Sequence, residues 1–266
     1  PQATLEDVQV VREELGLDKP IHEQYITYVT GLLKGDLGTS LRTKRPVAVE
    51  VSNRYANTAK LTLLALAWST IVGVLLGVWS GRHRSHWQDY TGMTLAVSGI
   101  SLPSFWVGFM LIMVFSVNLK WFPTTGADSL KSLVLPSIAL GSSIAAIIAR
   151  FTRSSIIEVL KDDYIRTARA KGLRERVVVW KHAFRNAMIS VVTVVGLQFG
   201  FLLGGSVVTE SVFAFPGLGS LLVESVNYRD YPAIQSLILI FSLHFVVINL
   251  IVDVLYAVLN PEIQLD

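Results

Sequence analysis

The sequence predicts an all-α protein that crosses a membrane several times. Hydrophobic side chains make up 52% of its 266 residues and charged ones only 16%, which is too apolar for an ordinary soluble domain. The apolar residues also occur in long runs, and about 20 such residues in a helix cross the hydrocarbon core of a bilayer. A basic stretch with helical periodicity interrupts these runs near the middle of the chain. Together, these observations indicate a polytopic helical membrane protein.

Five apolar runs are long enough to predict spanning helices. They cover residues 58–80, 93–119, 133–148, 189–209 and 234–259. Pro103 lies in the second run and Pro136 in the third. Because proline removes a backbone donor and crowds the preceding turn, we expect kinked helices at these positions.

The distribution of charge predicts the orientation of the chain. Residues 150–185 contain ten basic and four acidic side chains, and such positive loops stay on the cytoplasmic side. The same count places residues 1–57 outside, where helical patterns at 5–15 and 21–33 predict a small external cap. No apolar run could carry this cap across the membrane, and the chain begins at Pro1 rather than Met, so we expect a further spanning helix before it. Residues 58–266 then form the transmembrane domain, which includes the loop 150–187.

Glycines recur every four residues in the first and fourth runs. Small residues at this spacing let helix backbones approach closely in lipid. Packing within this chain and packing against a second membrane subunit both fit the pattern. The residues concerned are Gly73, Gly77, Gly196, Gly200 and Gly204.

Polar residues at membrane depth are candidates for a transport path. The fourth run and its outer end offer Gln198, Ser206, Thr209 and Glu210. Asp253 lies near the cytoplasmic end of the last run, where we expect it to pair with a basic loop residue. The chain has no Cys, and its five His form no spaced ligand cluster, which argues against redox chemistry and a metal site. It also has no phosphate-binding loop motif, so we expect no ATPase site of its own.

The basic loop itself has a helical pattern. From Ser154, an apolar face is predicted to run through Ile157, Leu160, Tyr164 and Ala168. Gly172 is expected to end this helix with a left-handed residue, and a second short helix resumes at Arg174. The pattern fits a docking surface for a cytoplasmic partner, and an amphipathic helix bound to anionic lipid is the alternative.

Within this loop, DYIRTARAKG followed by KHAFRNAM resembles the cytoplasmic loop of the dipeptide, oligopeptide, nickel and glutathione permeases. These proteins are a subfamily of the permeases of binding-protein-dependent ABC importers. Stretches such as GLQFGFLLGGS and FPGLG extend the likeness over essentially the whole chain. The short external loop at 121–136 is most similar to that of the glutathione permease. The resemblance implies the type I ABC importer transmembrane fold, with five spanning helices here and a sixth, N-terminal one.

The resemblance also implies partners and a mechanism. A homologous second permease, two cytoplasmic ATP-binding subunits and an external binding protein would complete an importer in the bacterial inner membrane, with no nucleic acid involved. ATP and Mg²⁺ would sit on the partner subunits, and this chain would bind no cofactor. The residues that would couple to the ATPase are Tyr164, Arg166, Thr167, Ala168, Arg169, Ala170, Lys171, Gly172 and Arg174.

The resemblance favours glutathione or small peptides as cargo, with dipeptides, oligopeptides or nickel chelates as alternatives. A different class, the ion-coupled secondary transporter, would require an internal inverted repeat or a coupling-ion site. We find neither feature in the sequence.

Overall fold

The chain folds into a bundle of α-helices. The computed structural model describes residues 18–259, with side chains through residue 254, together with residues 9, 12 and 16. Apart from residues 9 and 12, the helix expected at 5–15 therefore lies outside the described residues. The helices, in chain order, are α1 (Ile21–Leu33), α2 (Val47–Arg82), α3 (Trp87–Ser101), α4 (Ser104–Asn118), α5 (Leu130–Val159), α6 (Asp163–Ala170), α7 (Glu175–Val212), α8 (Leu218–Asn227) and α9 (Tyr231–Leu259).

Within the described residues, four helices, α2, α5, α7 and α9, are long and apolar enough to span a membrane. The consecutive helices α3 and α4 make up a fifth span if they are counted together, although their axes differ by 99°. The expected kink at Pro103 is therefore a complete break. Leu102 is extended, and Pro103 precedes the first turn of α4, a place where its missing N–H costs no hydrogen bond. Pro136 instead lies inside the unbroken α5.

The helices are longer than the apolar runs that predicted them. Helix α2 begins at Val47 rather than at 58, so the division between residues 57 and 58 falls inside a helix. Helix α5 continues to Val159 rather than ending at 148. Hydropathy marks the part of a helix that lies in lipid, whereas backbone hydrogen bonding continues into the polar flanks. In the segment predicted to form an external cap, α1 has no buried side chain.

Helices α2 and α5 pack with their backbones in contact. A Cβ atom at Gly73 would lie 2.7 Å from the carbonyl oxygen of Ala145, and one at Gly77 would lie 2.5 Å from that of Ala149. The Trp68 Nε1–H donates a hydrogen bond of 2.9 Å to the Ser137 carbonyl oxygen and so adds a polar contact. The glycines of the first run thus pack within this chain.

The glycines of the fourth run differ in what surrounds them. A Cβ at Gly196 would overlap the side chain of Val252, and one at Gly200 would lie 3.2 Å from the Phe245 ring. These two residues therefore pack α7 against α9. Within the described part of the chain, Gly204 has open space where its Cβ would be, so it packs against no other helix there. For Gly204, packing against a second membrane subunit stays a prediction.

Candidate functional site

Helix α6 lies between α5 and α7 at the basic end of the bundle. Its apolar side chains Ile165 and Ala168 are buried in a cluster with Val178 and Ala183 of α7. The predicted face through Ile157, Leu160, Tyr164 and Ala168 is wrong, because α5 ends at Val159 and a new helix starts at Asp163. This break changes the rotation of α6 relative to α5, so Ile165 rather than Tyr164 faces inward.

The end of α6 has the hydrogen bonds of a Schellman motif. The Leu173 N–H donates to the Ala168 carbonyl at 3.3 Å, and the Gly172 N–H donates to the Arg169 carbonyl at 2.9 Å. Gly172 has φ +76°, the left-handed conformation that glycine adopts without a Cβ clash. The expected left-handed end at Gly172 is thus present.

The second predicted short helix is the beginning of α7. This helix starts at Glu175 and continues without a break to Val212, with wider π-helical turns over Val178–Ala183. The prediction of two separate surface helices is therefore wrong for the second one. One rigid element joins the basic end of the bundle to its outer end, and α6 packs on its first turns.

Two polar contacts fasten α6 to α7. The guanidinium of Arg169 donates to both carboxylate oxygens of Glu175, at 3.1 and 2.8 Å. This hydrogen-bonded carboxylate raises the pKa of Arg169. The Asn186 side-chain amide donates to the Tyr164 hydroxyl oxygen at 2.8 Å, and burial raises the pKa of Tyr164.

The surface that α6 leaves open is polar and basic. Its exposed residues include Arg166, Thr167, Ala170, Lys171 and, just beyond, Gly172 and Arg174. Within the described residues, Arg174 and Lys171 have no ion-pair partner, whereas Arg166 has a fully exposed contact with Asp163 at 3.3 Å. Since the apolar face is covered by this chain, a cytoplasmic partner would meet the basic face.

Glu210, predicted to line a path, lies instead in a closed site at the outer end of α7. Its side chain is 0% exposed. One carboxyl oxygen accepts a hydrogen bond from the Thr58 hydroxyl at 2.8 Å, and the other accepts from the Ser220 N–H at 3.0 Å. Ser220 is in the first turn of α8, so the carboxyl group caps that helix.

The FPGLG motif makes room for this capping carboxyl. A Cβ at Gly217 would overlap the Glu210 carboxyl group, and one at Gly219 would lie 2.5 Å from the Val207 Cα. Two other predicted path residues, Ser206 and Thr209, are also buried in this chain, while Gln198 is half-buried. In this conformation Ser206, Thr209 and Glu210 therefore reach no open surface, and for Gln198 the path assignment stays a prediction.

Two buried carboxylates that the sequence did not single out join distant segments. Asp89 of α3 is 3% exposed and is bound by Arg153 of α5, with Nε to Oδ1 at 2.6 Å and Nη2 to Oδ2 at 2.7 Å. Asp230 accepts hydrogen bonds from the Ser40 hydroxyl and from the Leu41 N–H, the latter at 3.0 Å. The signals in the sequence were two further stretches of the family likeness, ARFTRSS at 149–155, which contains Arg153, and RDYPAIQ at 229–235, which contains Asp230.

The predicted pairing of Asp253 with a basic loop residue is wrong. Asp253 is exposed, and no ion pair reaches it from any residue whose side chain the structure describes. Among the basic residues of the loop 150–187, Arg153 instead pairs with Asp89 and Arg169 with Glu175. Sequence position gives the depth of Asp253 but not the direction in which it points.

Known proteins share this architecture and sequence. Residues 73–265 match the family described as binding-protein-dependent transport system inner membrane component. The glutathione transport system permease protein of Salmonella typhimurium is 53% identical over 99% of this chain and 86% of its own length. The corresponding protein of Pectobacterium atrosepticum is 55% identical over 97% of this chain and 84% of its own length.

Two solved structures share the fold at low sequence identity. An inward-facing form of the MetNI methionine ABC transporter has a TM-score of 0.69 at 18% identity, over 79% of this chain and 96% of that one. An amino acid ABC transporter crystallised with histidines has a TM-score of 0.60 at 17% identity, over 78% and 92% of the two chains. The fold is therefore that of type I ABC importer transmembrane subunits. The chain belongs to the family of binding-protein-dependent transport system inner membrane components, and it is a multi-pass permease subunit of an ABC importer.

Proposed function

We propose that this permease carries glutathione or small peptides into the cell, driven by ATP hydrolysis on partner subunits. In the full importer it pairs with a homologous permease, two cytoplasmic ATP-binding subunits and an external binding protein. The observation that carries the cargo assignment is the 53–55% identity with glutathione permeases over nearly the whole chain. The chain itself contributes the membrane path and the coupling surface.

The geometry of α6 supports coupling to an ATPase. Ile165 and Ala168 bury its apolar face against the bundle, Glu175 binds its Arg169, and its exposed face is basic. A force on that exposed face is passed to α5 and α7 because packed helices move as units rather than deform continuously. Closure of the ATPase pair would push α6 in this way and switch the bundle between inward-facing and outward-facing states.

The cargo path lies at the contact with the second permease. A cavity of about 160 Å³ between α2, α7 and α9 is lined by Tyr55, Thr58 and His244, among mainly apolar residues. Ligand pockets in proteins usually have volumes of about 300 Å³ or more, so this cavity is too small for a tripeptide. We therefore place the cargo path between this chain and the second permease, where the two chains together can enclose a larger volume.

The test is reconstitution of the complete importer in lipid vesicles with its binding protein. ATP-dependent uptake and ATPase activity are measured with reduced glutathione, oxidised glutathione, dipeptides and a nickel chelate. Uptake of glutathione alone assigns glutathione as the cargo, and selective uptake of a dipeptide narrows the cargo to small peptides. Uptake of the nickel chelate alone replaces the proposed cargo. Uptake that depends on an ion gradient and not on ATP overturns the proposed function.

A further inference from the structure

Helix α3 packs on α5 mainly through small residues. Ala96 lies in a cluster with Ala146 and Ala149 of α5, and Leu76 and Met93 pack against this cluster. Gly92 is also buried, but it faces Leu76 and Ser80 of α2. A Cβ at Gly99 would lie 3.2 Å from the Ser142 carbonyl oxygen. Small residues allow close approach, but they interlock less than large side chains do, so they hold the register between two helices weakly.

A charged contact joins α3 to α5 at the basic end. The Asp89 carboxylate receives the two-pronged Arg153 contact, a 2.5 Å hydrogen bond from the Ser80 hydroxyl and a 3.1 Å hydrogen bond from the Ser85 N–H. Both of its oxygens are thus bonded, and the ends of α2, α3 and α5 meet at this carboxylate. A planar guanidinium fixes both distance and angle, and buried polar contacts of this kind set the register between helices.

Arg153 also lies close to the coupling surface. It stands on the last part of α5, which ends at Val159, and Val159 and Leu160 pack against the buried face of α6. A displacement of α6 therefore reaches Arg153 through α5. At its other end, α3 is separated from α4 by the break at Pro103, so α3 can move without bending α4.

We propose that the Asp89–Arg153 pair locks the register of α3 against α5, so that α3 follows α5 when the ATPase partner displaces α6. Asp89 and Arg153 are positioning residues in this account. The lock is a property of this chain alone, while the transmission step rests on the proposed ATP-driven function. Without the pair, only the small-residue contacts and Met93 hold α3 on α5, its register loosens, and the movement of α5 is not delivered to the transport path.

The lock can be tested by distance measurements, because the chain contains no Cys and introduced cysteines are labelled without background. Spin labels at Thr91→Cys on α3 and Glu158→Cys on α5 occupy exposed positions. Pulsed dipolar spectroscopy of the full chain in nanodiscs gives the distribution of their distances. We expect a narrow distribution in the parent chain and at least a doubled width with Asp89→Asn. An unchanged width overturns the lock.

Two further variants keep the result interpretable. Arg84→Gln removes an exposed positive charge from the turn that precedes α3, and within the described residues Arg84 has no carboxylate partner, so its width should match that of the parent chain. Arg153→Lys keeps the charge but loses the two-pronged contact. It should give an intermediate width, and it replaces Asp89→Asn if that variant does not fold.

The transmission step is tested in the reconstituted importer by uptake per ATP hydrolysed. We expect this ratio to fall at least fivefold with Asp89→Asn and by less with Arg153→Lys, while Arg84→Gln leaves it unchanged. A purely structural role would lower the yield, the uptake and the ATPase activity together at a constant ratio, and that result overturns transmission. If the parent complex shows no ATP-driven uptake, the proposed function fails, and the label distances still decide the lock.

Discussion

At the scale of single residues, buried carboxyl groups hold separate segments of this chain together. Glu210, Asp89 and Asp230 are at most 3% exposed, and each accepts hydrogen bonds from at least two other segments or side chains. An acidic residue near a membrane span is by default a functional candidate. Its hydrogen-bond partners decide between transport and architecture, and for Glu210 those partners are the first turn of α8 and Thr58 of α2.

Glu210→Gln should destabilise the chain by about 1–3 kcal/mol, because the amide brings a donor to a site where Thr58 and Ser220 already donate. The thermal midpoint of the purified protein in detergent measures the effect. Glu158→Gln, on the exposed surface of α5, serves as the control and should leave the midpoint unchanged. An equal response of the two variants would contradict the capping role.

Asp230 should make the stability of the folded chain depend on pH. Burial raises the pKa of Asp230, but hydrogen bonds from Ser40 and from backbone N–H groups together lower it by more. The net pKa therefore lies below the usual range for Asp. A depressed carboxyl pKa stabilises the folded state above the unfolded value of about 4, and this contribution is lost as the pH falls through the folded value. Asp230→Asn should therefore lower the thermal midpoint at pH 7, and the gap should close toward pH 3. A gap that is constant across this range would contradict the assignment.

At the scale of elements, glycine spacing decides which helices touch. The same four-residue spacing gives backbone contact with α5 at Gly77, side-chain contact with α9 at Gly200 and open space at Gly204. In lipid, apolar burial gives helices little drive to associate, so close approach of the backbones contributes much of their packing energy. The consequences of adding a methyl group therefore differ from site to site.

Gly77→Ala should destabilise the chain by about 1–3 kcal/mol, because its Cβ would meet the Ala149 carbonyl oxygen and the Thr152 Cβ at 2.5 Å. Gly204→Ala is the matched control within a long helix. It meets no atom within 4 Å, and alanine favours helix by up to about 1 kcal/mol over glycine. Thermal midpoints of the two purified variants should move in opposite directions, and a loss of the same size for both would refute the packing contrast.

At the scale of the whole molecule, the permease buries the apolar side of α6 against α5 and α7 and leaves its basic side exposed. Arg169 and Arg174 are not equivalent in this arrangement. Arg169 is bound to Glu175, so its reversal would also disturb the joint between α6 and α7. Arg174 is exposed and available to the partner, which makes it the cleaner position for testing the proposed coupling.

Arg174→Glu should reduce ATP-dependent uptake at least tenfold while membrane insertion and the fold remain intact, because the reversed charge repels a partner surface that is complementary to the basic face. Uptake in reconstituted vesicles and the yield of assembled complex are the measurements. Lys131→Glu, at the opposite end of the bundle near the start of α5, is the charge-matched control. Unchanged coupling in Arg174→Glu would refute docking through this face.

The sequence by itself determined the class of the molecule. The five apolar runs, the basic loop at 150–187 and the loop motif with Gly172 led to a helical permease of the ABC importer type, and the fold and the family bear this out. These features follow from local physics. A run of apolar residues has one stable solution in lipid, and the left-handed residue that ends α6 favours glycine wherever the chain goes next.

The tertiary structure alone decided the direction in which side chains point. The break between Val159 and Asp163 turned Ile165 inward, the capping of α8 enclosed Glu210, and Arg153 met Asp89 across 64 positions of sequence. Each outcome depends on how one helix is rotated against another. Helix periodicity fixes which residues share a face, but only the packing partners decide which face is covered.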